Sequence, residues 1–186
     1  MSQFWVAGPA YIFTGTGSNS ALEFLGFTEE GLRVVVNGLF EDVRADYAGN
    51  MPADVSMLGQ EARISGVLVR YNEDILDKII SFISGATPGE GATNSVGTLL
   101  MTEGGAYPLA INSPYQSKTV YAALPAWYVF PFSYLVDNVE FNLSTRRKAL
   151  NVTWRAIPDF ANTAPYPYGQ YALYNNTTPS PVPAAN

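Results

Sequence analysis

The first half of the chain carries two segments whose residue pattern is typical of β-strands. In EARISGVLVR (residues 61–70) apolar and polar positions alternate, which predicts a strand with one buried face. The segment LRVVVNGLFEDV (residues 32–43) is rich in β-branched residues and contains the pair Asn37-Gly38. This pair favours the positive φ angles of a type I′ turn, so the pattern predicts a β-hairpin that turns there. In that register Arg33 lies opposite Asp42, and their opposite charges favour the pairing.

One segment has the pattern of an amphipathic α-helix, which we place at residues 72–84. Asn72 is a favourable N-cap, and Glu73 and Asp74 lie where the helix dipole stabilises negative charge. Apolar residues recur at helical spacing behind them and give the helix one apolar face. A long loop of small residues follows at 86–97, and loops of that length are either functional or mobile.

A second hairpin is predicted at residues 137–158. Apolar residues alternate on both sides of residues 144–148, which then form the connection between the two strands. The connection contains three of the ten basic residues of the chain, namely Arg146, Arg147 and Lys148. The basic cluster is therefore expected at the tip of a hairpin, and not on a helix that enters a DNA groove.

Taken together, these elements predict a mainly β fold with one α-helix. We place the β domain at residues 22–158, after an N-terminal arm or loop at residues 1–21. From residue 159 to residue 186 the strand pattern stops, and Pro, Asn, Thr and Tyr predominate. That composition is typical of an extended C-terminal arm.

Composition excludes several classes of catalytic site. The 186 residues contain no His and no Cys, which excludes disulfides, thiolate nucleophiles, His-based triads and His/Cys metal sites. A pair of carboxylates can still hydrolyse a glycosidic bond. The candidates all lie in or near the first predicted hairpin: Glu41, Asp42, Asp46, Asp54 and Glu61. Solvated loop carboxylates account for the same pattern, so we predict no catalytic residue, no cofactor and no metal ligand, and hence no enzyme.

The net charge of −6 bears on the partners of the chain. An acidic chain repels phosphate at long range, and three basic residues add little affinity for DNA. We therefore expect residues 146–148 to contact an acidic surface of a neighbouring protein subunit. No run of 18 apolar residues is present, so no membrane-spanning helix is expected.

Two longer segments carry a combination of features shared with a known family. Residues 26–79 (GFTEEGLRVVVNGLFEDVRADYAGNMPADVSMLGQEARISGVLVRYNEDILDKI) combine a Gly-x-Thr-x-x-Gly start, a strand, an acidic turn, a Gly/Pro loop, a second strand and an acidic-capped helix. Residues 130–159 (FPFSYLVDNVEFNLSTRRKALNVTWRAIPD) form a hairpin with a Thr-Arg-x-Lys tip and an aromatic-Arg-Ala-hydrophobic-Pro ending. Together they resemble the structural proteins of tailed bacteriophage virions, particularly the tail-tube type. The resemblance implies a β-sandwich or half-barrel with one helix packed on its outside.

The resemblance also implies a mode of assembly. Subunits of that family form six-membered rings whose inner strands join into one continuous barrel, and a long loop between early strands reaches the next ring. Here that loop is residues 46–54, and we expect the subunit interface to include Asp46, Asn50, Asp54, Arg146, Arg147 and Lys148. The implied protein is a tail tube subunit in stacked hexameric rings, which contacts other virion proteins and lets DNA pass without specific binding. It belongs to the virion, which is assembled in the cytoplasm of the bacterial host.

Two alternatives remain open at this point. The loop at 86–97 and the C-terminal arm depart from a minimal tube subunit, which keeps a head decoration, cement or neck role in view. A carbohydrate-binding β-protein is an alternative of a different class, and it predicts Trp127, Tyr128 and Trp154 exposed on one face. An assembling structural protein instead predicts these rings buried in the core or at an interface.

Overall fold

The computed structural model describes residues 2–15, 21–43, 54–79, 106–113, 127–143, 148–158 and 179. These residues form seven strands and one short helix, which in chain order are β1 (Ser2–Ala7), β2 (Tyr11–Thr14), β3 (Glu23–Val43), β4 (Asp54–Tyr71), α1 (Glu73–Ile79), β5 (Tyr107–Asn112), β6 (Trp127–Leu143) and β7 (Lys148–Ile157). The prediction of a mainly β fold with one helix is confirmed. The predicted loop at 86–97 and C-terminal arm at 159–186 lie outside the described residues, apart from Pro179.

All seven strands belong to one antiparallel sheet, and this sheet closes on itself. The strand order is β1-β3-β2-β5-β6-β7-β4. A further ladder pairs β4, the last strand of this order, with β3 and so closes the sheet. Closure depends on the length of β3, which has 21 residues. One edge of β3 pairs first with β2 and then with β1, while the other edge pairs with β4.

The apolar core fills the inside of the closed sheet. The predicted alternation of β4 is confirmed, because Ala62, Ile64 and Leu68 are fully buried. On β7, the alternating residues Leu150, Val152 and Trp154 are also buried, and Trp154 is among the largest fully buried side chains of the core. Period-two alternation thus gives the inward face of both strands correctly.

A buried tyrosine links β5 to β6 by polar contacts inside the core. The Tyr107 hydroxyl accepts a hydrogen bond from the backbone N–H of Leu135 at 3.1 Å. Ser133 Oγ donates to the Tyr107 carbonyl oxygen at 2.9 Å. Burial raises the pKa of the Tyr107 hydroxyl well above its usual range, and the hydrogen bond from Leu135 opposes part of that shift.

The short helix α1 begins as predicted. Asn72 Oδ1 accepts hydrogen bonds from the backbone N–H groups of Asp74 at 3.0 Å and Ile75 at 3.4 Å, which is N-capping geometry. Ile75 and Leu76 are buried against the sheet. The described helix ends at Ile79, and the remainder of the predicted span to residue 84 lies outside the described residues.

The predicted turn at Asn37-Gly38 is wrong, because β3 runs straight through this pair. Asn37 lies opposite Glu61, and Gly38 lies opposite Gln60 of β4. Arg33 is therefore not opposite Asp42, since it pairs with Ser65 instead. The ladder with β4 runs from Gly26 to Val43, apart from residues 29–31, and it pairs the buried residue Val34 with the buried residue Ile64. This long pairing outweighs the local turn preference of Asn-Gly.

Residues 2–14, which we predicted as part of an N-terminal arm, instead form β1 and β2 in the sheet. The connection between them lies so close to β3 that a Cβ on Gly8 would lie 1.5 Å from the Glu30 carbonyl oxygen, so only glycine fits there. Thr28 ties the same connection to β3. Its N–H donates to the Ala10 carbonyl at 3.0 Å, and its Oγ1 accepts from the Ala10 N–H at 2.9 Å.

The second predicted hairpin is confirmed as the β6–β7 pair. Its last register pair is Leu143 with Lys148, so Lys148 is the first residue of β7 and not part of the connection. Residues 144–147 lie outside the described residues.

Candidate subunit interface

Strands β3 and β4 continue past the closed sheet as a two-stranded arm, which comprises residues 37–43 and 54–61. The last residue of β3 that pairs with β1 is Val36. On β4, which runs in the opposite direction, the first residue that pairs with β7 is Ala62. Within the described part of the chain, the arm is held by the ladder between its own two strands. Seven residues of extended strand make it about 24 Å long.

Large apolar side chains are exposed along this arm. They are Leu39 (54% exposed), Phe40 (62%), Val43 (46%), Val55 (53%) and Leu58 (63%). Elsewhere in the described ranges, the large apolar side chain that reaches comparable exposure is Tyr11, at 37%. An exposed apolar ribbon of this kind is typical of an interaction surface.

The exposed end of the arm is acidic. Glu41 and Asp42 lie near the end of β3, and Asp54 begins β4, where its Oδ1 accepts a hydrogen bond from the Val55 N–H at 2.7 Å. Neither stretch of the arm, 37–43 or 54–61, contains a Lys or Arg. A surface with this charge is complementary to a neutral or basic surface and repels its own copy.

An ion pair lies at the base of the arm. Glu61, opposite Asn37, forms a salt bridge with Arg155 of β7. Arg155 also lies directly opposite Arg63 of β4, so the Glu61 carboxylate offsets the repulsion between two neighbouring guanidinium groups. The contact joins the arm to the closed sheet, on the face of the sheet that points away from the core.

The structure separates the predicted interface residues that it describes. Asp54 lies at the end of the arm, and Lys148 begins β7. The β4–β7 ladder runs from Ala62–Ala156 to Leu68–Leu150, so β7 begins at the end of the sheet opposite to the arm. The structure therefore does not bring the two residues together within one chain. Asp46, Asn50, Arg146 and Arg147 lie outside the described residues.

Sequence reasoning missed the apolar residues of the arm because it placed a turn inside them. A signal was nevertheless present. Leu39 and Phe40 are adjacent, and adjacent residues of a strand point to opposite faces. Apolar residues on both faces of a strand indicate that both faces become covered.

The aromatic residues that the carbohydrate alternative required on the surface are buried. Trp127, Tyr128 and Trp154 all belong to the core, and the Trp127 ring packs on Phe13 with 5.4 Å between ring centroids. These rings form no exposed face, so that prediction of the carbohydrate alternative is wrong.

A metal-binding cluster and a membrane-spanning helix are both absent from the described ranges. No cluster of three or more potential metal-ligating side chains occurs in them. Their single short helix is neither long nor apolar enough to cross a membrane.

Comparison with known proteins finds a similarity to a solved structure and no match in sequence. No family model matches the chain. No curated protein matches it either. Among solved structures, the chain is similar to one described as "Tail of empty GTA particle computed with helical refinement, C6 symmetry", with 11% sequence identity and a TM-score of 0.46 over 81% of this chain and 92% of that chain.

Proposed function

We propose that this chain is a structural protein of a bacteriophage virion, and that it is a tail tube subunit forming stacked hexameric rings around a DNA conduit. The observation that carries the proposal is the arm with its five exposed apolar side chains. Burying a large apolar side chain contributes about 1.5–3 kcal/mol, and roughly half of that remains available where half the side chain is exposed. The five side chains together then contribute on the order of 5 kcal/mol to an assembly contact.

The charge of the arm favours head-to-tail assembly over a two-fold dimer of arms. A two-fold contact with the two arms in parallel would bring Glu41, Asp42 and Asp54 close to their own copies. Head-to-tail contacts avoid that repulsion, and they generate closed rings or open stacks. The basic residues 146–148, predicted as interface residues, follow β6 in the sequence, and Lys148 begins β7 at the end of the sheet opposite to the arm. In a head-to-tail stack the acidic arm of one subunit meets this segment of the next.

The overall charge suits a conduit through which DNA passes. A net charge of −6 on each subunit gives the assembled wall a negative potential, which repels phosphate. DNA therefore moves along the tube without being retained. The hexameric ring, the stacking and the partner virion proteins come from the resemblance of residues 26–79 and 130–159 to tail-tube proteins.

Light scattering with negative-stain microscopy of the purified chain tests the proposal. We expect a mass that rises with protein concentration, and rings of six-fold symmetry that stack into tubes. Rings that never stack would favour the neck or decoration role. A chain that stays monomeric at every concentration would contradict the proposal.

A further inference from the structure

We propose that the arm is covered on both of its faces by other copies of this chain, so that it inserts between chain surfaces and does not lie flat on one. This inference rests on the proposed self-assembly, and it adds the partner and the geometry of the contact. It predicts that the two faces of the arm contribute independently to assembly.

Four of the five exposed apolar side chains divide evenly between the two faces of the arm, and the fifth, Leu58, lies in a bulge. Leu39 and Val43 are four residues apart on β3 and share the outward face of the strand. Phe40 lies on the other face, which continues the inward face of the sheet. Val55 pairs with Asp42, two residues from Phe40, and so shares the Phe40 face. Each face thus carries two side chains that are 46–62% exposed.

Local geometry keeps the Phe40 ring on its face. A Cβ on Gly38 would lie 2.6 Å from the Phe40 ring, so the ring packs over the glycine at this position. The register of β4 shifts between Leu39 and Phe40, and Leu58 is the extra residue of this bulge. Phe40 nevertheless stays 62% exposed, and Leu39 on the opposite face stays 54% exposed.

The size of the arm favours contact on both faces. A two-stranded ribbon about 24 Å long and about 10 Å wide offers roughly 240 Å² of projected area on each face. A stable protein contact buries about 800 Å² on each partner. One face falls short of that area about threefold, whereas two faces in a repeating array come much closer to it.

Charge identifies another copy of the chain as the occupant. The acidic end of the arm needs a basic or neutral partner, which disfavours nucleic acid and anionic lipid. The chain itself contains the run Arg146-Arg147-Lys148, and β7 begins at the end of the sheet away from the arm. The arm projects from the other end, so it meets this run on a second copy and not on its own chain.

Single-cysteine variants test the inference directly, because the chain contains no Cys. Leu39→Cys and Phe40→Cys each introduce one thiol, on opposite faces of the arm. The rate of maleimide labelling is measured for each full-length variant, purified without other proteins, at a dilution where it is monomeric and at a concentration where it is assembled. Glu23→Cys, at an exposed position outside the arm, calibrates the labelling rate in both states.

We expect labelling at both positions to be fast in the monomer and at least tenfold slower in the assembly. Assembly with protection at one position and unchanged labelling at the other would overturn the two-sided contact and leave the proposed function standing. Slow labelling of one position in the monomer would also overturn it, because the same chain would then cover that face. If the cysteine variants do not assemble although the parent chain does, the two faces are tested instead with two double variants. Leu39→Thr/Val43→Thr changes one face of the arm, and Phe40→Thr/Val55→Thr changes the other. Normal assembly of either double variant would overturn the inference, whereas a chain that never assembles in any form would overturn the proposed function as well.

Discussion

Ala62 of β4 lies opposite Ala156 of β7, and this is the last register pair between those two strands. It divides β4 into a part that belongs to the closed sheet and a part that belongs to the arm. Substitutions on the two sides of this pair should therefore affect different properties of the protein.

Replacing Ile64 should lower stability, whereas replacing Leu39 should not. Ile64 is fully buried, and an Ile→Ala change in a core costs about 2–5 kcal/mol. Leu39 is more than half exposed on the arm, so Leu39→Thr should change the free energy of unfolding by less than about 0.5 kcal/mol. Urea unfolding of dilute protein, followed by tryptophan fluorescence, measures both. Equal destabilisation by the two changes would mean that the arm is part of the cooperative core.

Thr28→Val should destabilise the join between β1 and β2. The change keeps the shape of the side chain and removes Oγ1, which leaves the buried Ala10 N–H without its acceptor. Such a loss costs about 1–3 kcal/mol. Thr28→Ser keeps the hydroxyl and is the matched control. If the Val variant were as stable as the Ser variant in urea unfolding, the hydrogen bond would not contribute.

Gly8→Ala should be strongly unfavourable for so small a change. The added methyl would lie 1.5 Å from the Glu30 carbonyl oxygen, so the connection must move away from β3. Overpacking of this kind costs about 1–3 kcal/mol or more. Gly59→Ala is the control, since a Cβ there would meet no atom within 4 Å. Differential scanning calorimetry should show a lower Tm for Gly8→Ala alone.

Stability should fall at high pH because of Tyr107. Burial raises the folded-state pKa of this hydroxyl above its unfolded value of about 10. Below pH 10 both states keep the proton, so the group adds no pH dependence there. Above pH 10 the unfolded state loses the proton first, and stability decreases by up to about 1.4 kcal/mol per pH unit.

The control for this effect is Tyr107→Phe. At pH 8 it should be less stable than the parent chain by about 1–3 kcal/mol, because the buried Leu135 N–H loses its acceptor. Between pH 9 and pH 11 the stability difference should shrink by about 1.4 kcal/mol, since only the parent chain carries the titrating hydroxyl. A difference that stays constant over this range would show that Tyr107 titrates alike in both states.

Sequence patterns identified β4 and the β6–β7 hairpin, but they missed β1 and β2. Period-two alternation placed Ala62, Ile64 and Leu68 inward, and the Asn72 cap marked the start of the helix. The Asn37-Gly38 pair predicted a turn wrongly, because turn preference is local, whereas the β3–β4 ladder joins residues as far apart in sequence as Gly26 and Tyr71. Closure of the sheet was not predictable either, since it depends on long-range pairing along both edges of β3.

Only part of the candidate interface was predicted, because its place in the fold also depends on long-range pairing. The sequence predicted Asp46, Asn50, Asp54 and the basic run 146–148 as interface residues. The register alone shows that the described residues Asp54 and Lys148 lie at opposite ends of the sheet. The apolar residues on the arm were hidden by the mistaken turn, although they carry the proposed contact.

Removal of the arm tests the central claim most directly. Gly38 and Gln60 are a register pair, so replacing residues 39–59 by Asn-Gly closes the two strands with a two-residue turn. Tyr11→Ser, which removes an exposed aromatic ring outside the arm, is the control. Light scattering over a range of concentrations should show a folded monomer for the shortened chain and assemblies for the control. Assemblies of the shortened chain with the same mass and concentration dependence as the parent would contradict the account.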